Sequence, residues 1–568
     1  MTRTYRNPIL GGFYPDPSIC RAGSDFYLVN STFAYFPGIP VFHSTDLRRW
    51  KQIGNAIHRP GQLCYDGHRI SEGLFAPAIR HNLGVFYITC TLVGTGGNFI
   101  ITAKDPAGPW SDPVWLPDAP GIDPSLFFDD DGKAWYTGTC AAPEGEAYPG
   151  NCEIYIRETD ISLLAGGKNP LIGPYHGIWR GALRNAVWPE GPHIYKINGW
   201  YYLLYAEGGT SREHAVCVAR AKNIHGPWEG KQANPILTHR YLGKNAEIVN
   251  TGHADLTDDA AGNWWMALLA SRPFQGVCPL GRETFMVPVF WEDDWPCVAS
   301  KTGLIEGEYS LPDLPKPPDS SYPPDDHAAG SGWIHEQACD HFNIENGGSA
   351  ENNNSANNDN GAELTPRAVK LPLHWLMLRM PVNVKDAALS LTARPGALRL
   401  FTVAETMRGR GHPAFAGRRL RHKNWAFSAA VEFVPKADGE SAGIILLQNE
   451  DWQYRFEMYL APSGSPSLRL VRAAGKEDEI IADGKCGAEL AGKPLVLAAS
   501  CDEMEISFFY GKDVYSLKRF TGNVDARILS TEHAGGFVGT LAGVFASGNG
   551  KDSGNYADVL WAEYRGLE

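Results

Sequence analysis

The sequence predicts an all-β protein in which a five-bladed β-propeller is followed by a β-sandwich. Aromatic residues make up 11% of the chain, and 62 glycines and 40 prolines supply turns between short strands. A strand–turn–strand unit also recurs five times within residues 1–310. Short strands separated by Gly and Pro are typical of all-β folds, and a repeat of about 40–50 residues with several strands is typical of a propeller blade.

The five repeats define the blades. Each has a polar or small residue, a short apolar strand, a turn rich in Gly, Asp or Asn, and an aromatic second strand. The aromatic follows the first residue by 11 or 12 positions, and the five first residues are Asp16, Ala76, Asp123, Glu190 and His253. Because the first strand of every blade lines the central channel, we expect these positions to share one polar pocket on the axis. An open β-sandwich with accidental similarity between the segments is the alternative.

Three carboxylates in one pocket indicate chemistry. Asp16 alone, in "YPDPS", would read as a turn residue. Like charges that are buried together cost free energy unless they are hydrogen-bonded or one is protonated, and Asn or Thr would pack without that cost. Two carboxyl groups of unequal pKa that flank a neutral sugar are what hydrolysis of a glycosidic bond requires. The pattern therefore favours a glycoside hydrolase.

Composition excludes other classes of function. A net charge of −13 argues against a nucleic-acid partner. No apolar stretch approaches the roughly 18 residues that would span a bilayer, so we expect no membrane partner. The 11 cysteines are scattered without a CxxC pair, which indicates reduced thiols. The start "MTRTYRNPIL" lacks the apolar core of a signal peptide, so the protein is expected to be cytoplasmic, or secreted with its leader absent from this sequence.

Five ordered motifs resemble those of glycoside hydrolase family 43, the inverting β-xylosidases and α-L-arabinofuranosidases on five-bladed propellers. They are "NPILGGFYPDPSIC", "GIDPSLFFDDDGKAWY", "WPEGPHIYKINGWYYLLYAEGGTS", "TGHADL" and "LGRETF". The resemblance implies that Asp16 is the general base, Asp123 the pKa modulator and Glu190 the general acid. It also implies that Arg282 lies beside the substrate and the modulator; a loop-bracing arginine is the alternative.

The same resemblance makes His253 a candidate substrate contact, low on the channel axis. It is also the one candidate ligand for a calcium ion, with Asp255 on the same strand, although a core histidine satisfied by hydrogen bonds is the alternative. No cofactor is otherwise required. The run "DDDG" at 129–132 lacks the alternating acidic pattern of a calcium loop and is predicted to be a hairpin turn.

Aromatic side chains are expected to bind the sugar, because flat rings stack on its apolar face. The candidates are Phe33, Phe36, Phe75, Trp188 and Phe537, whereas Tyr35 in the same segment as Phe33 is expected to pack between blades. Related xylosidases commonly carry Trp where this chain has Phe75, which leaves the sugar open. Phe537 matches a loop aromatic that closes the pocket in one branch of the family; a place in the sandwich core is its alternative.

The predicted domains are a catalytic propeller at 1–310, a proline-rich linker at 311–330 and a sandwich at 331–568. An Asn-rich tract near 345–363 interrupts the sandwich and is expected to be disordered. Alternating segments such as 426–435 and 505–511 predict strands.

The sequence thus predicts an inverting exo-glycosidase that releases β-1,4-linked xylose, α-L-arabinofuranose or both from xylo- or arabinoxylo-oligosaccharides. Three alternatives stay open at this point. The first is that the main activity is that of an arabinofuranosidase. The second is that the chain belongs to the retaining fructan hydrolases, and the third is that the propeller binds carbohydrate without catalysis. The fructan hydrolases would require Asn-Asp-Pro and Arg-Asp-Pro where this chain has "PDP" and "IDP". The oligomeric state is not indicated.

Overall fold

The structure is a computed structural model, and it describes residues 3–182, 185–243, 245–259, 261–299, 302–311, 337–342, 370–380, 387–475, 477–485 and 493–567. The predicted linker, apart from Leu311, and the Asn-rich tract therefore lie outside the described residues. The chain forms two compact units, and the first comprises Met1–Ile334, Leu420–His422 and Ser530–Thr540. Two short stretches of the second half thus belong to the first unit, and the predicted domain limits stay predictions.

Five antiparallel sheets of four or five strands in the first unit correspond to the five predicted repeats. The first sheet holds β2, β3, β5 and β6, the second β7–β10, the third β11–β14, the fourth β15–β19 and the fifth β20–β23. The strands of this unit are β1 (Arg3–Arg6), β2 (Ser18–Ala22), β3 (Asp25–Val29), β4 (Tyr35–Phe36), β5 (Gly38–Ser44), β6 (Lys51–Ile57), β7 (Gly73–Asn82), β8 (Val85–Val93), β9 (Gly97–Ala103), β10 (Val114–Trp115), β11 (Ile122–Phe128), β12 (Ala134–Ala141), β13 (Cys152–Thr159), β14 (His176–Trp179), β15 (Glu190–Ile197), β16 (Trp200–Glu207), β17 (Ala215–Ala221), β18 (Glu229–Gly230), β19 (Leu237–Thr238), β20 (Val249–Asp258), β21 (Trp264–Ser271), β22 (Glu283–Glu292), β23 (Trp295–Val298) and β24 (Glu308–Leu311).

The innermost strands of the five sheets form a closed ring. Strand β2 lies beside β7, β7 beside β11, β11 beside β15, β15 beside β20, and β20 again beside β2. Apolar side chains fill the space between neighbouring sheets; Leu204 of β16, for example, packs in one cluster with Leu256 of β20 and Met266 of β21. Strand β1 pairs with β24, which ties the two ends of the ring together. The predicted five-bladed β-propeller is confirmed.

The second unit is the predicted β-sandwich. One sheet has eight strands in the order β27-β28-β39-β30-β35-β36-β37, with β25 also paired to β39, and the other has six in the order β29-β38-β31-β32-β33-β34. Tyr454 and Phe456 of one sheet contact Phe508 of the other, so these faces form the core. The strands are β25 (Gln337–His341), β26 (Met377–Leu378), β27 (Leu389–Ser390), β28 (Leu398–Phe401), β29 (Ala414–Arg419), β30 (Trp425–Glu432), β31 (Ser441–Asn449), β32 (Trp452–Leu460), β33 (Pro466–Ala474), β34 (Asp478–Lys485), β35 (Leu495–Asp502), β36 (Glu505–Gly511), β37 (Lys518–Asp525), β38 (Leu541–Ser547) and β39 (Tyr556–Gly566).

Helix is scarce in the described chain. The α-helix α1 spans Thr531–Ala534 in the first unit, and short 3-10 helices span Ile161–Gly166 and Ala526–Leu529. None of the described helices has the length and apolar character needed to cross a membrane. The ten cysteines that the structure describes all carry free thiols, as the sequence predicts.

The "DDDG" run forms the predicted hairpin turn between β11 and β12. The amide of Gly132 donates to the carbonyl of Asp129 at 3.1 Å. The Asp129 carboxylate accepts from Lys196 and from Tyr201, both at 2.6 Å. Its oxygens therefore stabilise the neighbouring blade.

Candidate active site

A residue with a left-handed backbone conformation recurs in or beside every inner strand. The φ angles are 51° at Asp16, 41° at Ala76, 56° at Asp123, 58° at Gly191 and 44° at His253. Residues other than Gly rarely adopt this conformation, and it clusters at functional sites. The five blades thus repeat the same turn at the same place, which brings the predicted site residues to one end of the channel.

In the fourth blade, the residue that occupies the repeated turn is Gly191, so the sequence alignment of Glu190 with Asp16 is wrong by one position. Cys20, four residues after Asp16, pairs with Tyr27, and Tyr195, four residues after Gly191, pairs with Tyr202. The spacing rule could not detect the shift, because the adjacent residue Tyr201 satisfies the same count. Glu190 therefore immediately precedes the repeated turn position of its blade, which Asp16, Asp123 and His253 occupy in theirs.

Gly191 has a specific reason to be glycine. Its φ is positive, and a Cβ atom there would lie 3.0 Å from the His253 ring. Its amide donates a hydrogen bond of 3.0 Å to Oδ2 of Asp123. One residue therefore sets the backbone beside Glu190, leaves space for His253 and holds the Asp123 carboxylate.

Asp16 is a buried carboxylate with two strong partners. Arg282 Nη1 lies 3.0 Å from its Oδ1, and the Ser31 hydroxyl donates to its Oδ2 at 2.6 Å. The amide of Ala76 donates to Ser31 Oγ at 2.7 Å, so the hydroxyl proton faces Asp16. Burial works to raise the pKa of Asp16, but Arg282 and then His253 and Ser31 lower it below its usual value. Asp16 is therefore held as a carboxylate.

The pKa values of Glu190 and Asp123 shift upward, in the direction opposite to that of Asp16. Burial raises the pKa of Glu190 well above its usual value, and the charges of Asp123 and Asp16 raise it further. Burial also raises the pKa of Asp123; the charge of Asp16 acts in the same sense, whereas His253 and the Gly191 amide oppose it. The site thus combines a carboxyl group whose pKa is lowered with one whose pKa is raised, which is the pairing that acid–base hydrolysis of a glycoside needs.

Arg282 makes its ion pair with Asp16. Its Nη2 also donates to the carbonyl of Phe537 at 3.2 Å, and its guanidinium carbon lies 5.5 Å from the centre of the Phe537 ring. Sequence reasoning placed Arg282 beside the substrate and Asp123; the structure brings it into direct contact with Asp16, and its charge also acts to lower the pKa of Asp123. It is 6% exposed, so it acts within the site.

The predicted aromatic residues separate into buried and accessible groups. Phe33 and Phe36 are buried, at 0% and 4% exposure, whereas Trp188 and Phe537 are 43% and 36% exposed and Phe75 is partly exposed. Phe537 belongs to the first unit; its ring centre lies 6.3 Å from that of Phe33 and 5.6 Å from that of Phe75. The surface that a sugar could contact is therefore supplied by Phe75, Trp188 and Phe537.

Tyr35 is fully buried, and its ring lies 5.7 Å from that of Phe13. It packs inside the unit, and packing between blades stays a prediction. Trp188 has a φ of 48°, and a Cβ atom at Gly150 or Gly209 would lie 2.8 Å or 2.9 Å from its indole. Two glycines therefore make room for this ring, two residues before Glu190.

Sequence reasoning missed Ser31 and His214. His214 is fully buried, and its Nδ1 lies 3.2 Å from the carbonyl oxygen of Asn250. Burial, and then the neighbouring His253, lower the pKa of His214 to about 3, so the ring is neutral. A Cβ atom at Gly252 would lie 2.4 Å from this ring, which places His214 against the backbone beside His253. No repeat or motif in the sequence signals either residue.

The donor set around His253 does not suit calcium. Calcium takes six to eight oxygen ligands. Asp255, which the sequence pairs with His253, directs its oxygens to Arg80 and Ser18 instead. No group of three or more His, Cys, Asp or Glu side chains within the described ranges is arranged to hold a metal ion.

Comparison with known proteins agrees with this geometry. Residues 5–296 match the model of glycosyl hydrolases family 43, and residues 367–565 match that of the beta xylosidase C-terminal concanavalin A-like domain. The chain is 42% identical over 571 residues to a xylosidase/arabinosidase of Butyrivibrio fibrisolvens, with 98% of each protein covered. It is 35% identical over 574 residues to a non-reducing end alpha-L-arabinofuranosidase of Bacteroides ovatus, with 100% of this chain and 96% of the other covered.

Solved structures show the same architecture. A xylan beta-1,4-xylosidase from Bacillus halodurans superimposes with a TM-score of 0.83 at 28% identity, covering 99% of this chain and 100% of the other. A family 43 protein of the Bacteroides ovatus xyloglucan locus gives 0.83 at 33% identity, with 100% of each chain covered. The chain is a glycoside hydrolase and belongs to glycosyl hydrolase family 43.

Proposed function

We propose that this enzyme releases terminal β-1,4-linked xylose, α-L-arabinofuranose or both from xylan-derived oligosaccharides, with inversion at the anomeric carbon. One observation carries the proposal. Asp16 and Glu190 come from two blades that are not neighbours in the ring, and their surroundings move their pKa values in opposite directions. A carboxylate and a carboxylic acid in one site are what hydrolysis of a glycoside requires in either stereochemical course, and we propose inversion because it is typical of family 43.

In this mechanism, Asp16 accepts a proton from the water molecule that attacks the anomeric carbon. Glu190 donates its proton to the glycosidic oxygen as the bond to the leaving sugar breaks, so the leaving group departs as a neutral alcohol. Arg282 keeps Asp16 ionised, and Ser31 fixes the direction of its Oδ2. Asp123, held by the Gly191 amide, raises the pKa of Glu190 through its charge and is positioned to bind a sugar hydroxyl.

Which of the two sugars, xylose or arabinofuranose, the enzyme prefers is itself part of the proposal. Relatives support each activity, since one is named a xylosidase/arabinosidase and another a non-reducing end alpha-L-arabinofuranosidase. Phe75 presents a smaller ring than Trp at a position beside Phe537. We favour xylosidase activity, with arabinofuranosidase activity as the second candidate.

The test compares 4-nitrophenyl β-D-xylopyranoside with 4-nitrophenyl α-L-arabinofuranoside. Wild type should cleave at least one, and Glu190→Gln should lower the rate by about 10²–10⁴-fold, because it cannot donate the proton. Asp16→Ala should be similarly impaired, whereas the exposed control Asp130→Ala should match wild type. NMR should detect the inverted anomer first. Retention, or a binding signal without any turnover, would contradict the proposal.

We also propose that catalysis needs no metal ion. Dialysis against EDTA should leave kcat unchanged on the better substrate. A loss of turnover that added calcium restores would contradict this proposal and would return His253 to the role of a calcium ligand.

A further inference from the structure

A further buried carboxylate, Asp255, lies on β20, two residues after His253. It is 0% exposed. Its Oδ2 accepts hydrogen bonds from Ser18 Oγ at 2.6 Å, from the Ile19 amide at 3.0 Å and from Arg80 Nη1 at 2.7 Å. Its Oδ1 accepts from Arg80 Nη2 at 3.0 Å and from the Tyr195 hydroxyl. No other function described above uses this group.

These contacts join four of the five inner strands. Asp255 is on β20, Ser18 on β2, Arg80 on β7 and Tyr195 on β15. Arg80 Nη2 also donates to His193 Nδ1 at 2.8 Å, which gives β15 a second connection to the same carboxylate. One side chain therefore holds together strands that are distant in sequence.

Each connection is close in sequence to a residue of the site. Ser18 is two residues after Asp16, and His193 is three residues after Glu190. His253 is two residues before Asp255 on the same strand. The two strands that carry the proposed base and the proposed acid are thus tied to one point, although they belong to blades that are not neighbours in the ring.

Side chains do not completely fill the channel beyond this group. Beyond Arg80 and Tyr195, the channel contains a cavity of about 350 Å³ lined by residues from all five inner strands. A buried ion pair is weak evidence for stability, since hydrophobic residues of similar volume often serve as well. The retention of a fully bonded carboxylate at this point therefore favours a role in geometry.

We propose that Asp255 is a positioning residue, which sets the separation between Asp16 and Glu190 through Ser18 on β2 and through Tyr195 and His193 on β15. This inference rests on the roles proposed above for Asp16 and Glu190. Removing one connection should displace one catalytic group, and a displacement of about 1 Å can cost about 10²-fold in rate.

The test removes the two connections separately, with mild variants that leave Asp255 in place. Tyr195→Phe deletes the direct side-chain contact to the strand of the acid, where His193 keeps its link through Arg80. Ser18→Ala deletes the side-chain contact to the strand of the base, where the Ile19 amide keeps its own bond to Asp255. Tyr202→Phe is the matched control, because Tyr202 is a buried tyrosine of the same blade whose hydroxyl donates to the Asp294 carbonyl at 2.6 Å. The substrates are 2,4-dinitrophenyl, 4-nitrophenyl and 4-methoxyphenyl glycosides of the sugar that wild type cleaves.

The expected results differ between the variants. Tyr195→Phe should lose kcat/KM about tenfold more on the 4-methoxyphenyl than on the 2,4-dinitrophenyl glycoside, because only the poorer leaving group needs protonation by Glu190. Ser18→Ala should lose a similar factor on all three, because the attack of water limits each of them. Tyr202→Phe should retain wild-type values on every substrate.

Two failures are distinguishable. If wild type is active and Asp16→Ala and Glu190→Gln are impaired, but Tyr195→Phe and Ser18→Ala show the same dependence on the leaving group as each other, the positioning role is wrong. If wild type is inactive, or the Asp16 and Glu190 variants keep full activity, the proposed function itself is wrong.

Discussion

At the scale of single residues, chemically similar groups differ through their neighbours. Asp16 and Glu190 are both carboxylic acids within one polar site. Asp16 has a guanidinium at 3.0 Å and a hydroxyl at 2.6 Å, whereas the strongest charges on Glu190 are two other carboxylates. Opposite charge favours ionisation and like charge opposes it. The division between base and acid therefore follows from the surroundings.

Arg282→Ala tests this division through pH. The wild-type kcat/KM should fall at low pH as Asp16 gains a proton and at high pH as Glu190 loses its proton, since this profile reports the free enzyme. Without the guanidinium, the pKa of Asp16 rises, so the acid limb should move to higher pH. An acid limb that stays in place while the overall rate falls would show that another group controls it.

Gly191→Ala should damage the site while leaving its carboxyl groups intact. The added Cβ meets a positive φ of 58° and the His253 ring at 3.0 Å. The backbone must then shift, which moves Glu190 and weakens the hydrogen bond from the Gly191 amide to Asp123. We expect a loss of about 10²-fold in kcat, the scale of a 1 Å displacement, with a smaller change in KM. Gly199→Ala, at a turn with open space around it, is the control. Equal kcat values for the two variants would contradict the expected displacement of Glu190.

Repeat spacing predicts Asp16, Asp123 and His253 because each occupies the same position in its repeat, and in the structure each has the same left-handed backbone conformation. It places Glu190 one residue from the true counterpart, because Tyr201 and Tyr202 satisfy the spacing equally well. Ser31 and His214 escape prediction for a different reason. Their contacts with the site depend on three-dimensional proximity, and neither lies at a repeated position.

At the scale of structural elements, the blades are predictable because each inner strand reads as a short apolar run before a turn. The segment Ser530–Thr540 is not predictable in the same way. It follows the strands of the sandwich in sequence but belongs to the propeller unit. Its residues make specific contacts there, including the bond from the Cys278 amide to Glu532 at 2.8 Å and the bond from the Phe537 amide to Ser71 Oγ at 3.1 Å.

Phe537→Ala tests whether this segment contributes to binding. The ring lies near Arg282 and beside Phe33 and Phe75, and it is 36% exposed. Loss of a stacked ring costs about 1 kcal/mol, so kcat/KM should fall about fivefold, mainly through a higher KM. Phe290→Ala, at a 55% exposed ring on β22, should not change either constant. An unchanged KM in Phe537→Ala would assign that ring to packing alone.

At the scale of the whole molecule, the site depends on closure of the ring. The ion pair between Arg282 and Asp16 joins residues 266 positions apart, and Asp255 bonds to Ser18 across 237 positions. Each blade contributes a strand to the channel, so no single blade contains both the base and the acid. The net charge of −13 is compatible with this site, because a neutral sugar needs no attraction by the overall charge.

The site should also lower the stability of the whole molecule as the pH rises. In the unfolded chain, Glu190 titrates in the usual range of glutamate, whereas in the folded protein its pKa is raised. Below the pKa of Glu190 in the unfolded chain, this residue is protonated in both the folded and the unfolded state. Between that pKa and the raised pKa of the folded protein, only the folded protein keeps the proton. The free energy of unfolding therefore falls with increasing pH across this window. Glu190→Gln removes this contribution to the pH dependence of the free energy of unfolding. Its melting temperature should exceed that of wild type by a margin that grows from acid to neutral pH, whereas Glu292→Gln, at an exposed position, should show a constant difference. A margin that shrinks with pH would mean that Glu190 is ionised in the folded protein and would remove it from the role of general acid.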